Sequence, residues 1–75
     1  MTLLDIKANQ LEFLPEEIGY LQNLVELQLE DNRLYGLPRT IGMLRKLAIL
    51  NVMKNQLVEL PETLGELSAL EVLDC

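Results

Sequence analysis

Histidine is absent from this 75-residue chain, and its sole serine is Ser68. General acid–base work would fall to carboxylates, and nucleophilic work to Ser68 or to Thr2, Thr40 and Thr63, which have no base at a suggestive spacing. The adjacent pairs Glu16-Glu17 and Glu30-Asp31 do not fill the gap, because neighbours on a strand or helix point apart. No catalytic residue is assigned, and the chain reads as a non-enzyme. Metal ligands are as scarce. Glu30-Asp31-Asn32 offers oxygens but lacks the Asp-x-Asx-x-Asx-Gly spacing and distant glutamate of a calcium loop, so neither metal nor cofactor is expected.

Cysteine occurs once, at Cys75, which excludes an internal disulfide; no Asn-x-Ser/Thr site occurs either. No charged segment followed by an apolar stretch opens the chain, and no run approaches the roughly 18 apolar residues of a membrane span. These absences predict a cytoplasmic protein, with a membrane-peripheral position left open. Basic residues are few: six Lys and Arg against twelve Asp and Glu give a net charge of −6, which repels a phosphate backbone and argues against nucleic acid. Arg39, Arg45 and Lys46 do cluster, but Arg39 falls in a row with Glu16 and Glu62, predicting alternating charges across neighbouring segments. Aromatics are nearly missing, with one Phe and two Tyr, so an aromatic-anchored core is excluded and leucine must fill the interior.

What is present is a period. Asn9, Asn32 and Asn55 recur every 23 residues, each followed two places on by leucine and six places on by proline. Aligned on them, the chain divides into coils 1–23, 24–46 and 47–69 and a partial coil 70–75. Leu4, Leu27, Leu50 and Leu73 recur, as do Ile6, Leu29 and Val52, with Cys75 in the fourth slot of that series. Ile18, Ile41 and Leu64 precede Gly19, Gly42 and Gly65. Such self-similarity builds one structural unit per repeat and stacks the units, because no unit covers its own apolar face.

The pattern Leu24-x-x-Leu27-x-Leu29-x-x-Asn32-x-Leu34-x-x-Leu37-Pro38-x-x-Ile41-Gly42-x-Leu44 resembles the leucine-rich repeat, and the resemblance covers the whole chain. Its second half is most similar to the intracellular, Ras-associated class that includes scribble- and erbin-type polarity scaffolds and the Ras suppressor. The fold this implies is an α/β solenoid arc, with a parallel β-sheet on the concave face and short helical or 3₁₀ turns on the convex face. The resemblance also implies a scaffold in Ras-linked signalling or cell polarity, with a small GTPase or another signalling protein as partner. No GTPase contact carries over residue by residue.

Within each coil the third to seventh positions alternate, as in Glu26-Leu27-Gln28-Leu29-Glu30, the period-two mark of a strand with one buried face. Outward residues then form ladders across the sheet: Leu3, Glu26, Ile49, Val72; Asp5, Gln28, Asn51, Asp74; and Lys7, Glu30, Met53. Glu26, Gln28, Glu30, Ile49, Asn51, Met53, Val72 and Asp74 are the candidate protein-binding residues, an apolar strip beside an acidic one. They fit a partner surface that is basic and partly apolar, and Tyr35 extends the site or shields the turn. Asn9, Asn32 and Asn55 are assigned to structure, as a side-chain ladder satisfying backbone groups where the chain leaves the strand.

Pro15, Pro38 and Pro61 are expected at the first position of the convex turns, with Glu16, Glu17 and Glu62 beside the positive helix end. Gly19, Gly42 and Gly65 serve either a positive φ or close coil-to-coil packing. Neither end carries the polar outer face of a capping repeat, which predicts a piece of a longer array and, if uncapped, head-to-tail self-association. The alternative function is a purely structural segment of a larger protein whose binding or catalytic site lies elsewhere.

Overall fold

In the computed structural model, which describes residues 1–74, four short strands form one parallel sheet in chain order: β1 (Leu3–Asp5), β2 (Glu26–Gln28), β3 (Ile49–Asn51) and β4 (Val72–Asp74). Each residue pairs with its counterpart 23 positions on: Leu4 with Leu27, Leu27 with Leu50, Leu50 with Leu73. The inward residues are the framework leucines. Leu24, Leu27, Leu29, Leu34, Ile41, Leu44, Leu47 and Leu50 have no solvent exposure, and each such burial stabilises the fold by about 1.5–3 kcal/mol. Leu4, Ile6, Leu11, Leu57 and Leu64 are half-buried, because a middle coil is covered by two neighbours and an outer one by a single neighbour.

The paired strands are three residues long, shorter than the alternation suggests. Hydrogen bonding nevertheless runs on past them. The Ile6 and Ala8 N–H groups donate to the carbonyls of Gln28 and Glu30, and those of Leu29 and Asp31 donate to Asn51 and Met53. What ends the extended run is a left-handed residue at the eighth position of each full coil, Ala8, Asp31 and Lys54, with φ of 59°, 62° and 56°. No glycine occupies these sites, so the turn carries the steric cost that L-residues bear in this region.

The returning halves are 3₁₀ turns of five residues, Glu16–Tyr20, Arg39–Met43 and Glu62–Glu66. Their prolines sit one place earlier than expected. Pro15, Pro38 and Pro61 are extended N-caps, with φ of −69°, −68° and −68°. From there each proline carbonyl accepts the first turn bond, from Ile18, Ile41 or Leu64.

Packing, not conformation, explains Gly19 and Gly42. No glycine has a positive φ. A Cβ on Gly19 would lie 2.7 Å from the Thr40 carbonyl oxygen, and one on Gly42 would lie 2.6 Å from that of Thr63. These approaches draw successive turns together. Thr40 Oγ1 then donates to the Glu16 carbonyl at 2.7 Å, and Thr63 Oγ1 to that of Arg39 at 2.6 Å. No helix among the described residues is long and apolar enough to cross a membrane.

Candidate functional site

The sheet brings the outward residues into the expected ladders. Leu3, Glu26, Ile49 and Val72 lie in one register, and Asp5, Gln28, Asn51 and Asp74 in the next. Lys7, Glu30 and Met53 follow beyond the paired strands, aligned by the continuing backbone bonds of Ala8 and Asp31. Met53 is 40% exposed and Val72 42%, while Ile49, Glu26 and Glu30 are half-buried. Aliphatic and carboxylate groups therefore share one open wall.

Several polar groups there are held in place. The Asn51 amide donates to Gln28 Oε1 at 3.0 Å, and the Gln28 amide donates to Glu26 Oε2 at 2.7 Å. Asn51 Oδ1 also accepts from the Met53 N–H at 3.1 Å. This chain fixes the Glu26 carboxylate across three coordinated side chains. On the first coil, Asp5 accepts from the Lys7 N–H and pairs with its ammonium at 3.7 Å, so those charges offset each other. Glu26, Glu30 and Asp31 have no such cation: among the described residues the ion pairs are Lys7–Asp5 and Arg45–Glu66. The wall thus keeps a net negative field beside its aliphatic row.

Asn32 and Asn55 bond to backbone groups of their own coil and the preceding one. Asn32, 6% exposed, accepts at Oδ1 from the N–H groups of Asn9 and Leu11 and donates from Nδ2 to the carbonyls of Ile6 and Leu29. Asn55 repeats this one coil on, accepting from Leu34 and donating to Leu29, Val52 and Met53. Asn9 is exposed and donates to the Lys7 carbonyl.

The basic cluster is dispersed. Arg45 reaches Glu66 at 3.3 Å and Lys46 reaches Asn23 Oδ1 at 3.2 Å, whereas Arg39 forms no ion pair with Glu16 or Glu62. The alternating-charge row is replaced by the threonine hydroxyl bonds. Thr40 and Thr63 recur at the repeat interval, a signal obscured by Glu17 standing in the first coil's slot. No group of three or more His, Cys, Asp or Glu among the described residues is arranged to hold a metal ion. Cys75, expected in an inward framework slot, lies outside the described residues.

Residues 1–75 match a family model described as a leucine-rich repeat region. Among solved structures, the chain is similar to a leucine-rich repeat protein of Leptospira interrogans, at 44% sequence identity and a TM-score of 0.96. That similarity covers 97% of this chain and 19% of the other, so the chain spans about a fifth of that protein's length. No match was found among curated proteins.

Proposed function

Because the chain belongs to the leucine-rich repeat family, we propose that it is a non-catalytic protein-interaction module whose concave sheet grips a protein partner. The observation that carries this reading is the open wall on which Met53, Val72 and Ile49 stand beside the carboxylates of Glu26 and Glu30, neither of them in an ion pair. A basic, partly apolar surface complements it. The charges would steer encounter and the aliphatic groups would slow release.

Placement in the cytoplasm and a role in Ras-linked signalling or cell polarity are the narrower reading. It rests on the wording of the Leu-Pro-x-x-Ile/Leu-Gly-x-Leu half of the repeat. A second reading, a segment that only joins other repeats, draws on Gln28 and Asn51, whose amides are committed to the sheet's own side-chain bonds.

The test compares the parent with a Glu26→Lys, Glu30→Lys, Met53→Ala variant in affinity capture, with circular dichroism as the control for folding. Lost capture with an intact spectrum supports the concave site, and unchanged capture overturns it. Titration with a purified small GTPase in its two nucleotide states tests the narrower reading; no binding in either state removes it.

A further inference from the structure

Gly36 stands outside the repeat frame, and nothing in the fold requires a glycine there. Its φ is not positive, and a Cβ would meet only the Glu59 carbonyl oxygen at 3.9 Å, an ordinary contact. The equivalent positions of the flanking coils hold Phe13 and Glu59, which shows that the site accepts large side chains. The backbone aligns these positions: the Tyr35 N–H donates to the Glu12 carbonyl at 3.2 Å, and the Val58 N–H donates to that of Tyr35 at 2.9 Å. The missing side chain therefore leaves bare backbone beside Glu59.

That bare stretch opens into a groove of about 570 Å³ between the second and third coils, lined by Gly36 with Tyr35, Val58 and Leu60. Tyr35, on the coil covered from both sides, is 55% exposed, so its ring is open to a partner. Glu59 and Glu62 of the lining form no ion pair, and Arg39 is its one cation, so carboxylates outnumber cations two to one.

We propose that this lateral groove is a second interaction site, separate from the concave sheet, which takes an extended peptide segment carrying one large apolar side chain next to lysine or arginine. The apolar side chain rests on the bare backbone of Gly36 between Tyr35 and Val58, and the cation meets Glu59 and Glu62. Aromatic residues around such a cleft are the usual anchors of protein contacts.

The test is an amide-resolved NMR titration of the full chain with acetyl-Lys-Leu-Trp-Lys-amide at millimolar concentrations, with acetyl-Glu-Leu-Trp-Glu-amide as the control. The expected result is shifts at the amides of Tyr35, Gly36, Val58 and Glu59 with the basic peptide, and much weaker ones with the acidic peptide. Gly36→Phe gives the second coil the residue the first coil already has there, and should weaken the response about tenfold, as blocking an anchor pocket does. If Gly36→Phe does not fold, Glu59→Lys at an exposed position serves in its place and should give the same loss. Equal response in Gly36→Phe or Glu59→Lys, equal binding of the acidic peptide, shifts confined to the strands, or no shift at all would each overturn the proposal.

Discussion

Asn32 and Asn9 hold the same position in successive coils, yet their surroundings set very different energetic roles. Asn32 is buried and bridges two coils through four short side-chain bonds, whereas Asn9 is exposed and makes one. Removing the Asn32 amide strands the N–H groups of Asn9 and Leu11 and the carbonyl of Ile6, while the Leu29 carbonyl keeps its bond from Asn55. Asn32→Ala is therefore expected to lose about 1–3 kcal/mol, the penalty for unsatisfied buried groups. Asn9→Ala should stay within about 0.5 kcal/mol, as exposed substitutions do. Parallel thermal melts check the pair, and equal melting temperatures would contradict the ladder. The residue before each asparagine offers a change of opposite sign. Lys54 lies at φ 56°, a conformation that costs an L-residue about 1–2 kcal/mol and glycine little. After allowing for glycine's larger loss of chain entropy, Lys54→Gly should stabilise the fold by up to about 1 kcal/mol, or about 4–8 °C in a domain this size. The backbone bonding of Asn32 and Asn55 was legible because a polar residue recurring among leucines must be satisfied internally. The left-handed turn was not, because Ala8, Asp31 and Lys54 share no residue type that would announce it.

At the scale of the element, the strand and the 3₁₀ turn depend on neighbours in different ways. Leu29 is fully buried beneath the sheet, and truncation to alanine should lose about 2–5 kcal/mol by leaving a cavity, measurable by denaturant unfolding. The turns instead depend on backbone proximity, which makes the glycines a sharper probe. A methyl group on Gly42 meets backbone at 2.6 Å, so the third turn must move away and the Thr63 hydroxyl bond to Arg39 is put at risk. The same methyl on Gly65 meets nothing within 4 Å. Gly42→Ala is expected to destabilise by about 1–3 kcal/mol, as overpacking does, whereas Gly65→Ala should be neutral or stabilise by about 0.4–1 kcal/mol through reduced unfolded-state entropy. A matched loss in both variants would show that conformation, not packing, selects these glycines. The strand ladders were legible in the sequence because alternation fixes which face is buried and a constant period fixes register. The glycine role was not, since it is decided by a threonine carbonyl 21 positions away in the next coil (40 − 19 = 21; 63 − 42 = 21). The proline placement was missed for a related reason: one missing N–H is as harmless at the N-cap as at the first turn position, and only the backbone angles separate the two.

For the whole molecule, stacking turns a local pattern into a surface with a sign. Net charge is −6, the concave wall keeps Glu26 and Glu30 free of ion pairs, and Arg45 and Lys46 are tied to Glu66 and Asn23. The ladders on that wall followed directly from the period, whereas the lateral groove at Gly36 lies where the repeat is broken and could only be found in three dimensions. Charges spread over an exposed face act on the rate of encounter, and screening weakens them within about 10 Å at an ionic strength of about 0.1 M. Aliphatic contacts act after docking and are insensitive to salt. For a basic partner bound at the concave wall, raising the ionic strength from about 0.05 to about 0.5 M should therefore slow association and change dissociation little. Met53→Ala should do the reverse, speeding dissociation while leaving the salt dependence of association as in the parent, because Met53 carries no charge and only its side chain is removed. Surface plasmon resonance on parent and variant reads both rates. Salt-independent association would mean that the carboxylates of Glu26 and Glu30 do not face the partner, and the binding site would then have to be sought off the sheet.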